Sequence, residues 1–425
     1  LQRSRVISRP LLVLVFVWAF MGFCAMGSAL DVSPYETLGQ ENPWDQERLF
    51  SPPKTFDPPA VDPMEGVEPV FYEGEPYLGK ETRVFAWKGF PQGGADRSVP
   101  GMVLVHGGGG TAFAEWVRIW NRRGYAAIAM DTAGCVPRTE GEQSGNPRER
   151  HAFAGPPGWG GFDQMEGKPL DHWTYHAVAA ILRAHSHLRS LPQVDANRIG
   201  ITGISWGGYL TCIAAGVDSR FQFAIPVYGC GYYGYSQCYI PRLENLGAKS
   251  SEWMRRWDPA QYLHRAKMPF FWVSGPKDLH FPLESLQPSY YLTKGKRDLC
   301  LPVDMRHSHV AGWRPQEIYA YADVAFLGKE PLPVVTGSGL KEGEDGKAWV
   351  AFQHGGPPQK VLFHWTTDRR VSQDRVWHTE EVAAEKTSPG NYRSEHPVPQ
   401  DASFLYFNVL DHRGFIVSSE HVVLF

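Results

Sequence analysis

The sequence predicts an α/β fold, a mostly parallel sheet with helices on both faces, followed by a small all-β sandwich at the C-terminal end. Three observations predict it. Six short, continuous apolar runs recur between residues 102 and 303, most of them followed by a loop and a helix-like stretch, which is how strands buried on both faces of a parallel sheet read. Past Gly328 the pattern changes to short alternating strands separated by Gly, Pro and Asp turns. The chain is 425 residues long and 43% hydrophobic, enough for one large catalytic-sized domain and a small companion.

Taken in order, residues 1–29 read as a secretory signal peptide: Arg3, Arg5 and Arg9 precede the apolar run Leu11 to Met26, and Gly27-Ser28-Ala29 supplies small residues before a polar segment. An uncleaved membrane anchor is the alternative, since the run approaches spanning length. Residues 30–69, rich in Pro, Asp and Glu, are expected to form an extended arm on the surface of the next domain. Val70 to Tyr77 and Thr82 to Ala86 flank Leu78-Gly79-Lys80 as a hairpin. The parallel strands are expected at Met102 to Val105, Ala126 to Met130, Ile199 to Thr202, Phe223 to Tyr228, Phe270 to Val273 and Cys300 to Val303. Helices are expected at Ala112 to Arg123, Asp171 to Leu188, Gly207 to Ala215 and Pro315 to Leu327. A boundary near Pro331 to Pro333 divides a 70–330 domain from a 331–425 immunoglobulin-like sandwich, whose strands are expected around 349–352, 361–365, 376–378, 404–409 and 415–417.

With 42 Lys plus Arg against 45 Asp plus Glu, and no extended basic run, nothing argues for a grip on nucleic acid. Beyond the leader five cysteines remain, Cys135, Cys212, Cys230, Cys238 and Cys300, an odd number that leaves at least one free thiol; Cys230 and Cys238 are the pair close in sequence.

The chemistry is carried by Gly203-Ile204-Ser205-Trp206-Gly207-Gly208, which follows a strand and opens a helix, as a nucleophile elbow requires. Ser205 is the expected nucleophile. The glycines allow the sharp turn, and the helix N-terminus favours developing negative charge. His106-Gly107-Gly108-Gly109-Gly110 directly follows another strand, so backbone N–H groups of Gly108 or Gly109, with that of Trp206, are expected to form an oxyanion hole. The loop lacks the Lys-Ser/Thr ending of a phosphate-binding loop.

A serine hydroxyl needs a base and a carboxylate to orient that base. In chain order Ser, acid, His, the strand ending at Val273 leads to Asp278, and the strand ending at Val303 leads to His307-Ser308-His309. Asp278 is the expected acid, with Glu284 a weaker alternative inside the following helix. His309 is favoured as base because the loop after it can fold over the elbow and extend its reach; His307 is the alternative. No metal or cofactor is required by this chemistry. His172 and His176, four apart on a helix, have no Glu after His172 and no third ligand, so they are expected to be packing residues rather than a zinc pair. Trp159 with its glycine-rich neighbours, and the stretch Tyr228 to Tyr239, read either as pocket wall or as core of insertions. Trp349, Trp365 and Trp377 are expected in the sandwich core.

The motifs around His106 and Ser205, with Val227-Tyr228-Gly229-Cys230-Gly231 and Phe281-Pro282-Leu283, resemble those of bacterial acetylxylan-esterase-like and dienelactone-hydrolase-like α/β hydrolases, relatives of the prolyl oligopeptidase catalytic domain. The resemblance spans residues 70–330; the C-terminal part is similar to the β-domain of PhoPQ-activated pathogenicity-related proteins. Family members commonly carry Gly-Thr-Asn-Asp before the acid, where this chain has Gly275-Pro276-Lys277-Asp278, and often His-Gly-His where it has His307-Ser308-His309. The resemblance implies the α/β-hydrolase fold and hydrolysis of a small-molecule or polysaccharide ester, such as a carbohydrate acetyl ester. The leader adds a secreted or periplasmic location with no membrane after its cleavage, and the charge balance adds no nucleic acid. A prolyl-oligopeptidase-like peptidase and a catalytically inactive binding protein on the same scaffold are the competing expectations. Against the first stands the lack of a propeller-sized N-terminal domain; against the second, an intact set of Ser205, Asp278 and a histidine.

Overall fold

The computed structural model describes residues 42–424, apart from 59–60, 63, 94–97, 138–147, 342–345 and 372. The leader peptide expected at 1–29 lies outside the described residues. Among them, no helix is long and apolar enough to cross a membrane.

The strands in chain order are β1 Thr55–Phe56, β2 Glu68–Glu73, β3 Arg83–Gly89, β4 Val99–Val105, β5 Ala126–Met130, β6 Cys135–Pro137, β7 Arg148–Arg150, β8 Val194–Ile204, β9 Ala224–Val227, β10 Phe270–Val273 and β11 Arg297–Cys300. The main sheet runs β1-β2-β3-β5-β4-β8-β9-β10-β11, parallel from β5 to β11 and antiparallel before it. The fold is therefore a mostly parallel sheet of the α/β-hydrolase kind. Strands β4 and β8 are neighbours although β5 intervenes in the chain, and an open α/β sheet keeps its site at the carboxyl ends flanking such a reversal. Gly107 and Ser205 follow these two strands.

Helices α1 Gln46–Leu49, α2 Ala114–Arg122, α3 Trp173–Arg189, α4 Trp206–Val217, α5 Ile240–Asn245, α6 Lys249–Trp257, α7 Ala260–Leu263, α8 Leu283–Leu292, α9 His309–Gly312 and α10 Gln316–Leu327 cover the sheet. The alternate residues of each strand explain the layering: Val103, Val105 and Ile201 pack with α3 and α4 on one face, whereas Met102, Leu104 and Phe271 pack with α2 and α10 on the other. The segment before β1 lies along α3: the Trp44 indole donates to Tyr175 O at 2.9 Å, and Ser186 Oγ donates to Leu49 O at 2.9 Å.

Strand β11 departs from expectation. It begins at Arg297 and ends at Cys300, three residues before the expected end at Val303, because Pro302 has no N–H to continue the ladder and because Asp298, buried and paired with Lys296, sits inside a strand that its polarity disguised. The loop carrying the histidines thus starts earlier than apolar pattern suggests.

The C-terminal strands are β12 Val334–Leu340, β13 Lys347–Gln353, β14 Lys360–Thr366, β15 His378–Val382, β16 Glu385–Ser388, β17 Asn391–Pro397, β18 Phe404–Leu410, β19 Ile416–Ser418 and β20 Val422–Val423. They make two packed sheets, β12-β13-β17-β16 against β15-β14-β18-β19, with Val350, Phe352, Phe363 and Phe407 between them. The second sheet is continuous with the catalytic one: β19 pairs antiparallel with β11 through Leu299 and Ser418. Leu301, the first residue past β11, is held by this unit: its N–H donates to Ser418 Oγ at 2.7 Å, and its carbonyl accepts from Tyr406 Oη at 3.1 Å and Asn408 Nδ2 at 3.2 Å. Trp377 is buried against Tyr406, while Trp349 and Trp365 are only half-buried, Trp349 under the Arg393 guanidinium.

Candidate active site

Ser205 occupies the turn between β8 and α4 with φ 58° and ψ −119°, a strained backbone for a side chain with a Cβ. What holds it there is crowding around two glycines. A Cβ on Gly203 would stand 2.2 Å from Gly207 O, and one on Gly207 would stand 2.0 Å from Val105 O. Only glycine lets the helix start so close to the two strands. Ser205 N–H donates to Val227 O at 3.0 Å, and Ser205 O accepts from Tyr209 N–H at 2.9 Å, tying the turn to β9 and α4.

The histidine in contact with this hydroxyl is His307. Its Nε2 lies 2.8 Å from Ser205 Oγ, and its Nδ1 lies 2.6 Å from Asp278 Oδ2. Asp278 is buried, and its other oxygen accepts the backbone N–H groups of His280 at 2.8 Å and Phe281 at 2.9 Å. With Nδ1–H donated to a fixed carboxylate, Nε2 presents its lone pair to the serine proton. The imidazole packs against two tilted rings, Tyr228 at 4.4 Å between centroids and His280 at 4.5 Å. Tyr228 itself has φ 32° and donates its hydroxyl to Ser308 O, so it fixes both the ring and the loop.

The preference for His309 is therefore corrected. Ser308 is an N-cap, its hydroxyl accepting from Ala311 N–H at 3.1 Å, and α9 begins at His309. Entering the helix turns the His309 ring inward, where it is 4% exposed and lies 4.9 Å from the Phe113 ring. Its Nε2 accepts Gly107 N–H at 2.9 Å, which only an unprotonated nitrogen does. Burial, with His106 nearby, pushes its pKa down to about 3. Glu284, the alternative acid, instead faces Arg375 at 3.4 Å.

The glycine loop after β4 is built from the same contact. Gly110 N–H donates to Gly107 O at 3.1 Å, closing a turn whose third residue, Gly109, has φ 75°. His106 anchors the start: Nδ1–H donates to Gly107 O at 2.8 Å, and Nε2 accepts Thr132 N–H at 3.0 Å. Burial pushes the His106 pKa down to about 4, consistent with that neutral ring. Arg148 of β7 donates to Gly110 O at 2.6 Å and lies 4.7 Å over Trp159. The Gly107 N–H is thus used structurally, and a Cβ on Gly107 would stand 3.0 Å from that of Ser205, which puts the start of the glycine loop beside the serine. A Cβ on Gly108 would meet Trp206 at 2.8 Å and Trp159 at 3.7 Å, so two indoles wall this side of the site.

The remaining singled-out residues are structural. His172 Nδ1 accepts from the Trp257 indole at 3.0 Å and its Nε2 bonds Gly167 O at 3.2 Å, while His176 packs edge-on to Tyr77. All five described cysteines are free thiols, Cys230 and Cys238 included. Sequence reasoning missed Tyr228 and His280 as the rings packed against the imidazole. Their signal was position: Tyr228 directly follows the carboxyl end of β9, and His280 lies in the loop between β10 and α8, two residues after Asp278.

The prolyl oligopeptidase family model matches residues 170–330, and the acetyl xylan esterase family model matches residues 70–233. Their overlap contains the elbow around Ser205. No curated protein sequence matches the chain. Among solved structures, the chain is similar to an acetyl xylan esterase from Paenibacillus sp. R4, at 20% identity over 69% of this chain and 99% of that one, with a TM-score of 0.53. It also resembles acetyl xylan esterase 1 from Thermoanaerobacterium sp. JW/SL YS485 (16% identity, 69% and 96% coverage, TM-score 0.49) and the Pyrococcus horikoshii acylaminoacyl peptidase (21%, 58% and 38%, 0.43).

Proposed function

We propose that this chain, a serine hydrolase similar to acetyl xylan esterases and to the prolyl oligopeptidase catalytic domain, removes small acyl groups, acetyl above all, from carbohydrate esters through an acyl-enzyme. The observation that carries this reading is the hydrogen-bonded line from Ser205 Oγ to His307 Nε2 at 2.8 Å and from His307 Nδ1 to Asp278 at 2.6 Å.

Ser205 Oγ attacks the ester carbonyl while His307 Nε2 takes its proton. Asp278, whose other oxygen accepts two backbone N–H groups, holds the imidazolium that forms. The carbonyl oxygen becomes an oxyanion facing the N–H of Trp206 at the start of α4 and those of Gly108 and Gly109. His307 returns the proton to the leaving alkoxide, which departs as the alcohol. Water then attacks the acyl-serine, His307 taking one of its protons and giving it to Ser205 Oγ as the carboxylic acid leaves, to ionise in solvent. Trp206 and Trp159 crowding Gly108 support a short acyl group, and the leader-like residues 1–29 support work outside the cytoplasm on a polymer or its fragments.

Acetate release from acetylated xylan and from p-nitrophenyl acetate tests the reading, with aminoacyl and prolyl amides assayed beside them. Turnover of the acetyl esters that disappears in Ser205→Ala supports it. Preference for the amides would move the activity to peptidase, and full activity in Ser205→Ala would remove Ser205 as nucleophile.

A further inference from the structure

Where the catalytic core hands over to the C-terminal sheets, three side chains from distant parts of the chain converge. Glu330 lies in the link after α10, His354 directly after β13, and His412 in the turn between β18 and β19. A ring nitrogen of each histidine and a carboxylate oxygen of Glu330 all lie within 4.8 Å of one another. His412 Nε2 is 3.6 Å from Glu330 Oε2, and the two imidazoles are 6.2 Å apart between centroids.

The state of His354 points to a ligand. This side chain is only 8% exposed. Its Nδ1 is 2.8 Å from Gly356 O and 3.4 Å from Gly356 N; the shorter contact, to a carbonyl that can only accept, puts the proton on Nδ1 and leaves Nε2 with a bare lone pair. That Nε2 is buried without a hydrogen-bond partner. A buried acceptor with nothing to accept is costly, yet a ring fixed through Nδ1–H to a backbone carbonyl with Nε2 open is how a metal-ligating imidazole is ordinarily held. Arg413 reaches within 3.9 Å of Glu330 Oε2, but its guanidinium is committed to Asp411 at 2.6 Å and to the carbonyls of Glu330 and Pro331 at 3.0 and 2.9 Å. Its charge is therefore already balanced beside the cluster.

We propose that Glu330, His354 and His412 bind a divalent first-row transition ion of the zinc type, water completing the shell, and that the ion ties the link to both C-terminal sheets. Two imidazoles and one carboxylate suit zinc rather than the oxygen-seeking calcium or magnesium. Tetrahedral bonds of about 2.1 Å bring donor atoms to about 3.4 Å from one another. The Glu330 and His412 side chains, 50% and 57% exposed, are the two that would turn about the fixed His354 to reach that distance.

The whole chain, freed of metal by chelation, would be titrated calorimetrically with zinc chloride and, for the coordination geometry, with cobalt chloride followed by visible absorption. The proposal expects one equivalent bound, a tetrahedral-type cobalt band and a raised melting temperature. It also expects His412→Gln and Glu330→Gln, both on exposed side chains, to weaken binding by at least about tenfold, as loss of even an outer-shell partner does. Ester hydrolysis is expected to be unchanged in both variants. Absence of stoichiometric binding to the folded wild-type chain, or equal binding by wild type, His412→Gln and His354→Gln, would overturn it.

Discussion

Replacing His309 with leucine separates a positioning histidine from a catalytic one. Leucine fills much of the same apolar space against Phe113 but offers nothing to Gly107 N–H, now bonded to His309 Nε2 at 2.9 Å. A buried donor left unpaired costs about 1–3 kcal/mol of stability. The catalytic effect follows from the loop. Loss of an entire oxyanion donor lowers kcat by about 10²–10³; here the donors remain and only their anchor is lost, so kcat should fall about tenfold with KM little changed. Because His307 is untouched, the pH profile of kcat should keep its shape. Denaturant unfolding gives the first quantity, and p-nitrophenyl acetate kinetics across pH give the others. A collapse of kcat to the Ser205→Ala level in folded protein would refute the reasoning, because His309 would then be the base. Unaltered stability and rate together would refute the anchor.

Two further outcomes follow from the packing. His309 and His106, with His151, His176, His187, His364 and His421, have pKa values pushed down to between about 3 and about 4, burial being the first cause in each case. Their unfolded pKa is about 6.5, so between that value and the folded one the unfolded chain binds more protons and stability falls as pH is lowered. From pH 7 to pH 5, His309 alone should remove about 2 kcal/mol, and melting temperature against pH should drop steeply below about 6.5; a flat curve down to pH 4.5 would contradict the buried neutral rings. Asn408→Leu removes a bond to Leu301 O and leaves Ser418 Oγ without its acceptor at 2.6 Å. About 1–3 kcal/mol of stability should be lost, and kcat should fall more than KM rises, since Leu301 opens the loop that carries His307; kinetics identical to wild type would detach the C-terminal unit from catalysis.

The parallel strands were legible because each is buried on both faces, and Ala126–Met130 and Phe270–Val273 coincide with their apolar runs. The elbow was legible because its glycines answer to backbone crowding. Strand β11 was not, since Arg297 and Asp298 pair inside the ladder while Leu301 and Val303, equally apolar, lie beyond it. Strands β12 and β17 carry Thr, Ser, Gly and charged residues on half-exposed faces and β16 is exposed throughout, and their pairing rests on register rather than on hydrophobic pattern. The histidine choice was decided by a signal present in the sequence but outweighed by the argument from reach: Ser308 followed by His-Val-Ala starts a helix, and the residue after an N-cap turns away from the loop before it. The continuity of β11 with β19 joins residues more than a hundred positions apart, which no local pattern specifies.

The central claim is that His307, not His309, exchanges the proton with Ser205, and the most direct measurement is kcat/KM for p-nitrophenyl acetate in His307→Asn and His309→Asn, each verified as folded. Loss of a triad histidine leaves only residual catalysis, a fall of about 10⁴ or more. The geometry predicts that loss in His307→Asn and a fall of no more than about 10² in His309→Asn. Near-wild-type turnover by His307→Asn beside an inactive His309→Asn would contradict it.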